Sequence, residues 1–284
     1  MSLDLSAKKL AFVGAGSIAE SLIRGMTQSG TVFPGNIYVT DHHEHRRRLM
    51  RQQYAVHAFD NISDAAAHAD VIFFCVKPTD ITTALEQTAR TVSHDPLYVS
   101  VVAGCPLAYL IEHINYQTPL KIEQTRFVRV MPNTSSAVLA SATAYAVSHA
   151  CSQEDAELVR FLLDAVGRSF FVEESMLDAI TGLSGSGPAY IYYLVEAMTE
   201  AGISAGLSTE LSESLTRQTL LGAALMLDQG ELSAAQLRQK VTSPGGTTMA
   251  GIAALEQDGF RQAVLHAVQA ATHRAQEMGS AFAK

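Results

Sequence analysis

The chain has 284 residues, 48% of them hydrophobic and 17% charged, which is long enough for two domains of roughly 150 residues each and too apolar for intrinsic disorder. Its 20 Lys and Arg stand against 28 Asp and Glu, a formal charge of -8, and this argues against a nucleic-acid partner because phosphate backbones demand clustered cations. Three scattered Cys (Cys75, Cys105 and Cys151) without CxxC spacing offer neither a disulfide framework nor a zinc site, and they fit a reducing cytoplasm.

The first nine residues place their cations after an acid and run straight into an apolar segment, unlike a signal peptide. No apolar run approaches the roughly 20 residues that span a bilayer, so no membrane partner is expected. Residues 10–13 read as a buried strand, followed by a Gly-rich turn and a helix carrying Ile18, Ala19, Leu22, Ile23 and Met26 at 3–4 spacing, ending near Gly30. Strand signals recur at 37–40, 71–76, 97–102, 127–131 and 142–147, with helices at 42–53, 80–91 and 154–166 and a last strand-like piece at 169–172. The run at 71–76 is too short for a helix and suits a strand covered on both faces. Strand and helix in alternation predict an α/β fold with a Rossmann-type, doubly wound, mostly parallel sheet.

After residue 172 the period changes. Helical stretches are expected at 189–201, 208–228, 234–241, 248–257 and 260–279. The sequence thus divides into residues 1–172, an α/β domain, and residues 173–284, an all-helical domain. Leu211, Leu215, Leu220, Leu221, Ala224 and Leu225 cover a wider stripe of one helix than a single neighbour needs, which predicts homo-oligomerisation through the helical domain. Trp is absent and small residues recur there, so helices must pack by close backbone approach.

Residues 14–19, Gly-Ala-Gly-Ser-Ile-Ala, form GxGxxA directly between the first strand and first helix. Gly14 permits the tight turn, Gly16 the close approach of a pyrophosphate, and Ala19 close packing of helix and strand. Asp41 ends the second strand, where a carboxylate would accept a ribose 2′-OH and favour NAD. Arg46, Arg47 and Arg48 follow, and a guanidinium there would instead pair a 2′-phosphate. The choice between the two dinucleotides stays open on these residues. His42, His43 and His45 do not share a helix face, so no metal is expected.

Three further segments look built for a ligand. Residues 129–134, Arg-Val-Met-Pro-Asn-Thr, leave a strand through a Pro and set Asn133 at a carboxyl end, where open α/β sheets bind ligands. Residues 183–190, Leu-Ser-Gly-Ser-Gly-Pro-Ala-Tyr, read as a loop starting a long helix, with Pro188 in its first turn. Residues 241–251, Val-Thr-Ser-Pro-Gly-Gly-Thr-Thr-Met-Ala-Gly, form a second Gly-rich loop opening a helix. The free N–H groups at Gly246, Thr247 and Thr248 suit a small anion such as a carboxylate.

Together with residues 12–25, 69–78 and 102–104, these segments closely resemble the pyrroline-5-carboxylate reductase family, in order and over nearly the whole chain. The resemblance implies hydride transfer from NADPH, with NADH as the alternative donor, to the C=N bond of 1-pyrroline-5-carboxylate, giving L-proline. It implies cofactor binding by Gly14, Ala15, Gly16, Ser17, Ile18, Thr40, Asp41, His42, Asn61, Val76, Lys77, Pro78, Val102, Ala103 and Gly104. On the substrate side it implies Gly246, Thr247 and Thr248 at the carboxylate, the Thr248 hydroxyl as the catalytic group on the ring nitrogen, and Glu174 and Glu231 nearby. It also implies interlocked helical domains in a homodimer, with some members forming homodecamers. A hydroxyacid reductase would need a Lys on a long helix, and none occurs between Lys121 and Lys240. A related cyclic-imine reductase, and a nucleotide sensor without turnover, remain as alternatives.

Overall fold

The computed structural model describes residues 5, 7–115 and 122–282. Residues 1–4 and 6 of the N-terminal segment considered above lie outside the described residues, as does Lys121. The first half runs β1 (Leu10–Val13), α1 (Ser17–Gln28), β2 (Ile37–Thr40), α2 (Glu44–Tyr54), β3 (His57–Phe59), α3 (Ile62–Ala66), β4 (Val71–Phe74), α4 (Ile81–Thr91), β5 (Leu97–Ser100), α5 (Leu107–Asn115), β6 (Phe127–Met131), β7 (Ser141–Val147), α6 (Gln153–Asp164) and β8 (Gly167–Phe171). They build one sheet of order β3-β2-β1-β4-β5-β6-β7-β8. The first six positions are parallel and follow the dinucleotide-binding order.

The expected alternation of strand and helix breaks once. Between β6 and β7 lies only a 3₁₀ turn, Thr134–Val138, too short to carry the chain back for a parallel pairing. β7 therefore pairs antiparallel with β6, and β8 runs parallel to β7. The short β3 and α3 and the helix α5 give too little periodic pattern to be read from sequence. The Leu107 N–H in the first turn of α5 is accepted by the Glu174 carboxylate at 2.7 Å.

The strands are apolar throughout because both faces are covered. Leu10 and Phe12 enter the layer under α1, α2 and α6, while Ala11 and Val13 enter the layer under α3, α4 and α5. Phe12 stacks on Phe73 across β1 and β4, ring centroids 4.7 Å apart. Each such fully buried side chain contributes roughly 1.5–3 kcal/mol. This packing fixes the carboxyl ends of β1, β4 and β5, where the site begins.

The rest is helical: α7 (Leu177–Ile180), a π-helical turn (Thr181–Gly185), α8 (Gly187–Ser204), α9 (Thr209–Asp228), α10 (Ala234–Lys240), α11 (Thr247–Gln257) and α12 (Phe260–Ser280). Residues 183–190 are thus not a loop but a wide helical turn running into α8. A Cβ on Gly185 would lie 2.6 Å from the Met131 methyl, so that flexible side chain packs directly on the turn.

The chain forms two compact units, residues 1–186 with 270–284, and residues 187–269. The sheet ends at Phe171, beside the expected boundary, but the compact division comes after Ser186. Residues 270–284 return to the first unit because the end of α12 packs there: a Cβ on Gly104 would lie 3.1 Å from that of Met278, and the Phe282 ring sits 4.9 Å from Tyr109. The second unit has no buried apolar side chain; its only buried residues are Ser212 and Thr216. Among the described residues no helix is long and apolar enough to cross a membrane.

Candidate active site

The first Gly-rich turn is required by its neighbours at one glycine and open at the other. Gly14 has φ +99°, and a Cβ there would lie 2.6 Å from the Cys75 carbonyl oxygen at the end of β4, so only glycine fits. Its N–H donates to the Thr40 carbonyl at 2.9 Å, tying the turn to β2. Gly16 is the N-cap of α1 in extended backbone, with no side-chain cap, and a Cβ there would meet nothing within 4 Å. The fold itself does not need a glycine at 16, and the helix N-terminus behind it is open.

The sheet order gathers most of the expected cofactor residues. Gly14 to Ile18 follow β1, Thr40 to His42 close β2, Val76 to Pro78 follow β4, and Val102 to Gly104 follow β5. All lie at the carboxyl ends of neighbouring parallel strands, around the point between β1 and β4 where the order reverses. Asn61 follows the edge strand β3 and is the N-cap of α3: its Oδ1 accepts the Asp64 N–H at 2.9 Å and its Nδ2 donates to the Asp64 carboxylate at 2.8 Å.

Asp41 and Arg46, weighed above as rival readers of the ribose, both turn toward the turn itself. One Asp41 oxygen accepts the Ala15 N–H at 2.9 Å; the other accepts the His43 N–H at 2.8 Å and faces the His43 ring Nδ1 at 3.0 Å. Partial burial works to raise the Asp41 pKa, but these bonds from His43 and Ala15 overcome it and hold the carboxyl below its usual 3.8. Arg46 Nε donates to the Ala15 carbonyl at 2.7 Å and its terminal nitrogen to Glu20 at 2.6 Å. Arg47 is spent on the Asp41 and His42 carbonyls and on Glu44. No group of His, Cys, Asp and Glu among the described residues is arranged to hold a metal ion.

The second Gly-rich loop repeats the open N-terminus by another route. Pro244 and Gly245, the latter at φ +70°, sit between Ser243 and Gly246, whose N–H donates back to the Ser243 carbonyl at 3.0 Å; this is the pattern of a type II turn. Gly246 then caps α11 in extended backbone without a side-chain cap. The neighbouring α9 and α10 are capped by Ser208 and Ser233. Thr247 is exposed and Thr248 half-buried, and no described residue engages either hydroxyl.

Other expected site residues are spent internally. Asn133 is not a free group at a strand end: its Nδ2 donates to the Ser184 carbonyl at 3.0 Å, and its Oδ1 accepts from the Ser135 N–H and the Ser141 hydroxyl. Arg129, 7% exposed, pairs with Glu174 at 3.1 Å and Asp178 at 3.4 Å. Oε1 of Glu174 therefore serves both Arg129 and α5. Glu231 is exposed between α9 and α10. Sequence reasoning missed Arg46 as a partner of the turn, since nothing local couples it to Ala15.

Residues 174–278 match the family model for pyrroline-5-carboxylate reductase dimerisation, and residues 9–104 match that of the coenzyme F420-dependent NADP oxidoreductases. A pyrroline-5-carboxylate reductase of Arabidopsis thaliana is 39% identical over 270 residues, 95% of each chain. Pyrroline-5-carboxylate reductase 2 of Bacillus subtilis is 38% identical over 277 residues, 97% of each chain. The chain belongs to the pyrroline-5-carboxylate reductase family. Among solved structures, the pyrroline-5-carboxylate reductase of Coxiella burnetii superposes with a TM-score of 0.89 at 34% identity, covering 96% of this chain and 99% of its own. The pyrroline carboxylate reductase of Plasmodium falciparum, solved with NADP bound, gives 0.84 at 27% identity, covering 96% of this chain and 99% of its own. The stretch matching the reductase dimerisation model contains the whole second unit, the one with no apolar core of its own.

Proposed function

We propose that this chain reduces the C=N bond of 1-pyrroline-5-carboxylate to give L-proline, with NADPH as hydride donor and NADH as the alternative. One observation carries this reading: α1 in the first unit and α11 in the second each have a glycine N-cap and no side-chain cap. The reaction brings together two anions, a diphosphate and a small carboxylate, and a chain of net charge -8 must attract them with such local partial charges.

The residues present fit the cofactor. Gly14 lets the turn close against β4, Gly16 leaves the α1 N-terminus uncovered, and residues 76–78 and 102–104 border it from β4 and β5. When bound, the reduced nicotinamide supplies the hydride. The chain's own part is to hold and orient. The N–H groups at Gly246, Thr247 and Thr248 bind the substrate carboxylate, and the Thr248 hydroxyl hydrogen-bonds the ring nitrogen, whose basicity rises as the carbon is reduced. The nitrogen's proton is already on the iminium or comes from water, so no nucleophile is needed. Glu174 and Glu231 are further substrate residues only as the family resemblance implies. Orientation of this kind contributes several kcal/mol.

The working form is a homodimer in which a second copy covers the apolar surface of the second unit. Tyr193 is 75% and Leu225 57% exposed there. Gly222 and Gly251 lie inside α9 and α11, where a Cβ would meet nothing within 4 Å and each glycine costs about 1 kcal/mol against alanine; close approach of another backbone gives them a purpose. The three cysteines are free, which fits a reducing cytoplasm. To test the reading, NADPH and NADH oxidation are followed separately on adding 1-pyrroline-5-carboxylate, with 2-keto acids as controls. Oxidation with the imine alone is expected, and none with it would refute the assignment.

A further inference from the structure

The turn between Gly14 and Gly16 is held at both ends of Ala15. Its N–H is taken by Asp41 at the end of β2, and its carbonyl by Arg46 from α2. Arg46 is itself aimed by Glu20 of α1, whose other oxygen accepts the Tyr54 hydroxyl at 3.0 Å. Glycines flank Ala15 on both sides, so rotation of the intervening peptides is cheap. The peptide joining Ala15 to Gly16 is planar and trans, so fixing the Ala15 carbonyl also fixes the Gly16 N–H, which points the opposite way. No described residue accepts that N–H.

We propose that Arg46 is a positioning residue for the cofactor: by holding the Ala15 carbonyl it aims the Gly16 N–H at the diphosphate, and it does not read the ribose. Its Nε and a terminal nitrogen are committed to Ala15 and Glu20. Arg46 thus supports NADPH and NADH equally, although its place after β2 would suit a 2′-phosphate clamp. The proposal rests on the reading of this turn as the diphosphate site.

The test compares the wild-type chain with Arg46→Met and Arg46→Lys, measuring dissociation constants for NADPH and NADH from the cofactors' own fluorescence beside kcat and the KM of the imine. For Arg46→Met both dissociation constants should rise by the same factor, about 10-fold or more. The saturated kcat and the KM of the imine should stay within about 2-fold, and Arg46→Lys should recover part of the loss. Unchanged affinity for both cofactors would overturn the proposal. So would a loss confined to NADPH, which would make Arg46 a direct contact of the 2′-phosphate. If Arg46→Met does not fold, Glu20→Gln decides: an equal, smaller rise for both cofactors supports the proposal, and no change overturns it. A wild-type chain that binds both cofactors but reduces no imine would refute the function above and leave this inference standing. One that binds neither would end both.

Discussion

Gly16 and Gly246 hold the same place in two different helices. Each is an N-cap in extended backbone, at φ -69°, ψ -177° and φ -80°, ψ 168°, and neither helix is closed by a side chain. They differ in what encloses them: a Cβ at Gly16 would meet nothing within 4 Å, whereas one at Gly246 would lie 2.5 Å from the Ser243 hydroxyl.

That difference gives the first prediction. Gly16→Ala should leave folding stability within about 0.5 kcal/mol of the parent, as for an open surface position, while weakening NADPH binding about 10-fold or more by blocking the approach of the diphosphate. Thermal unfolding and cofactor titration check the two halves separately. A variant that binds NADPH normally would mean that the open face at Gly16 is not where the diphosphate lies.

Thr248→Ala should lower kcat/KM for 1-pyrroline-5-carboxylate by roughly 10-fold or more, as for one hydrogen bond made in the transition state. Cofactor affinity should be unmoved, because Thr248 lies on α11 and not on the diphosphate turn. Unchanged steady-state kinetics in a folded variant would remove the hydroxyl from the mechanism.

Much of this was legible in local pattern. The apolar run of β1, the spacing of α1 and the Gly-rich turn between them follow from residues within a short window, and so do the bounds of α9 to α12. What escaped was decided at a distance. Glu174 supports α5 from 67 residues away, Arg46 reaches Ala15 across 31 residues, and the reversal of β7 follows from a turn too short for a crossover. Asn133 shows the opposite error: a polar residue at a strand end looked free, but Ser184 and Ser141 take up its side chain, and neither partner is visible in the residues around it.

Asp41 predicts a pH dependence. Its folded pKa lies below the ordinary 3.8, so the folded state favours the carboxylate. The stability it contributes is fully present above pH 3.8 and is lost as pH falls through the folded value. Its side chain is 15% exposed, and Asp41→Asn should cost about 1–2 kcal/mol near neutrality. Denaturant titrations at a series of pH values should show the gap between the two proteins closing as the solution is acidified below 3.8. A gap that does not change with pH would mean that the charge contributes nothing.

The second unit has no buried apolar side chain, and in the proposed homodimer association supplies the burial it lacks. Leu225→Glu, which puts a charge on that surface, should shift the protein to monomers and lower the midpoint of thermal unfolding. Sedimentation and circular dichroism would detect both changes. A monomeric variant with full helix content and unchanged unfolding would show that the second unit stands alone.

Isotope transfer shows whether this chain delivers hydride to the imine carbon of 1-pyrroline-5-carboxylate. With NADPH carrying deuterium in the transferred position at C4, the expected product is L-proline with one deuterium on the ring carbon that adjoins nitrogen and lacks the carboxylate, one for each NADPH oxidised. Proline without the label, or NADPH oxidised without proline, would contradict it.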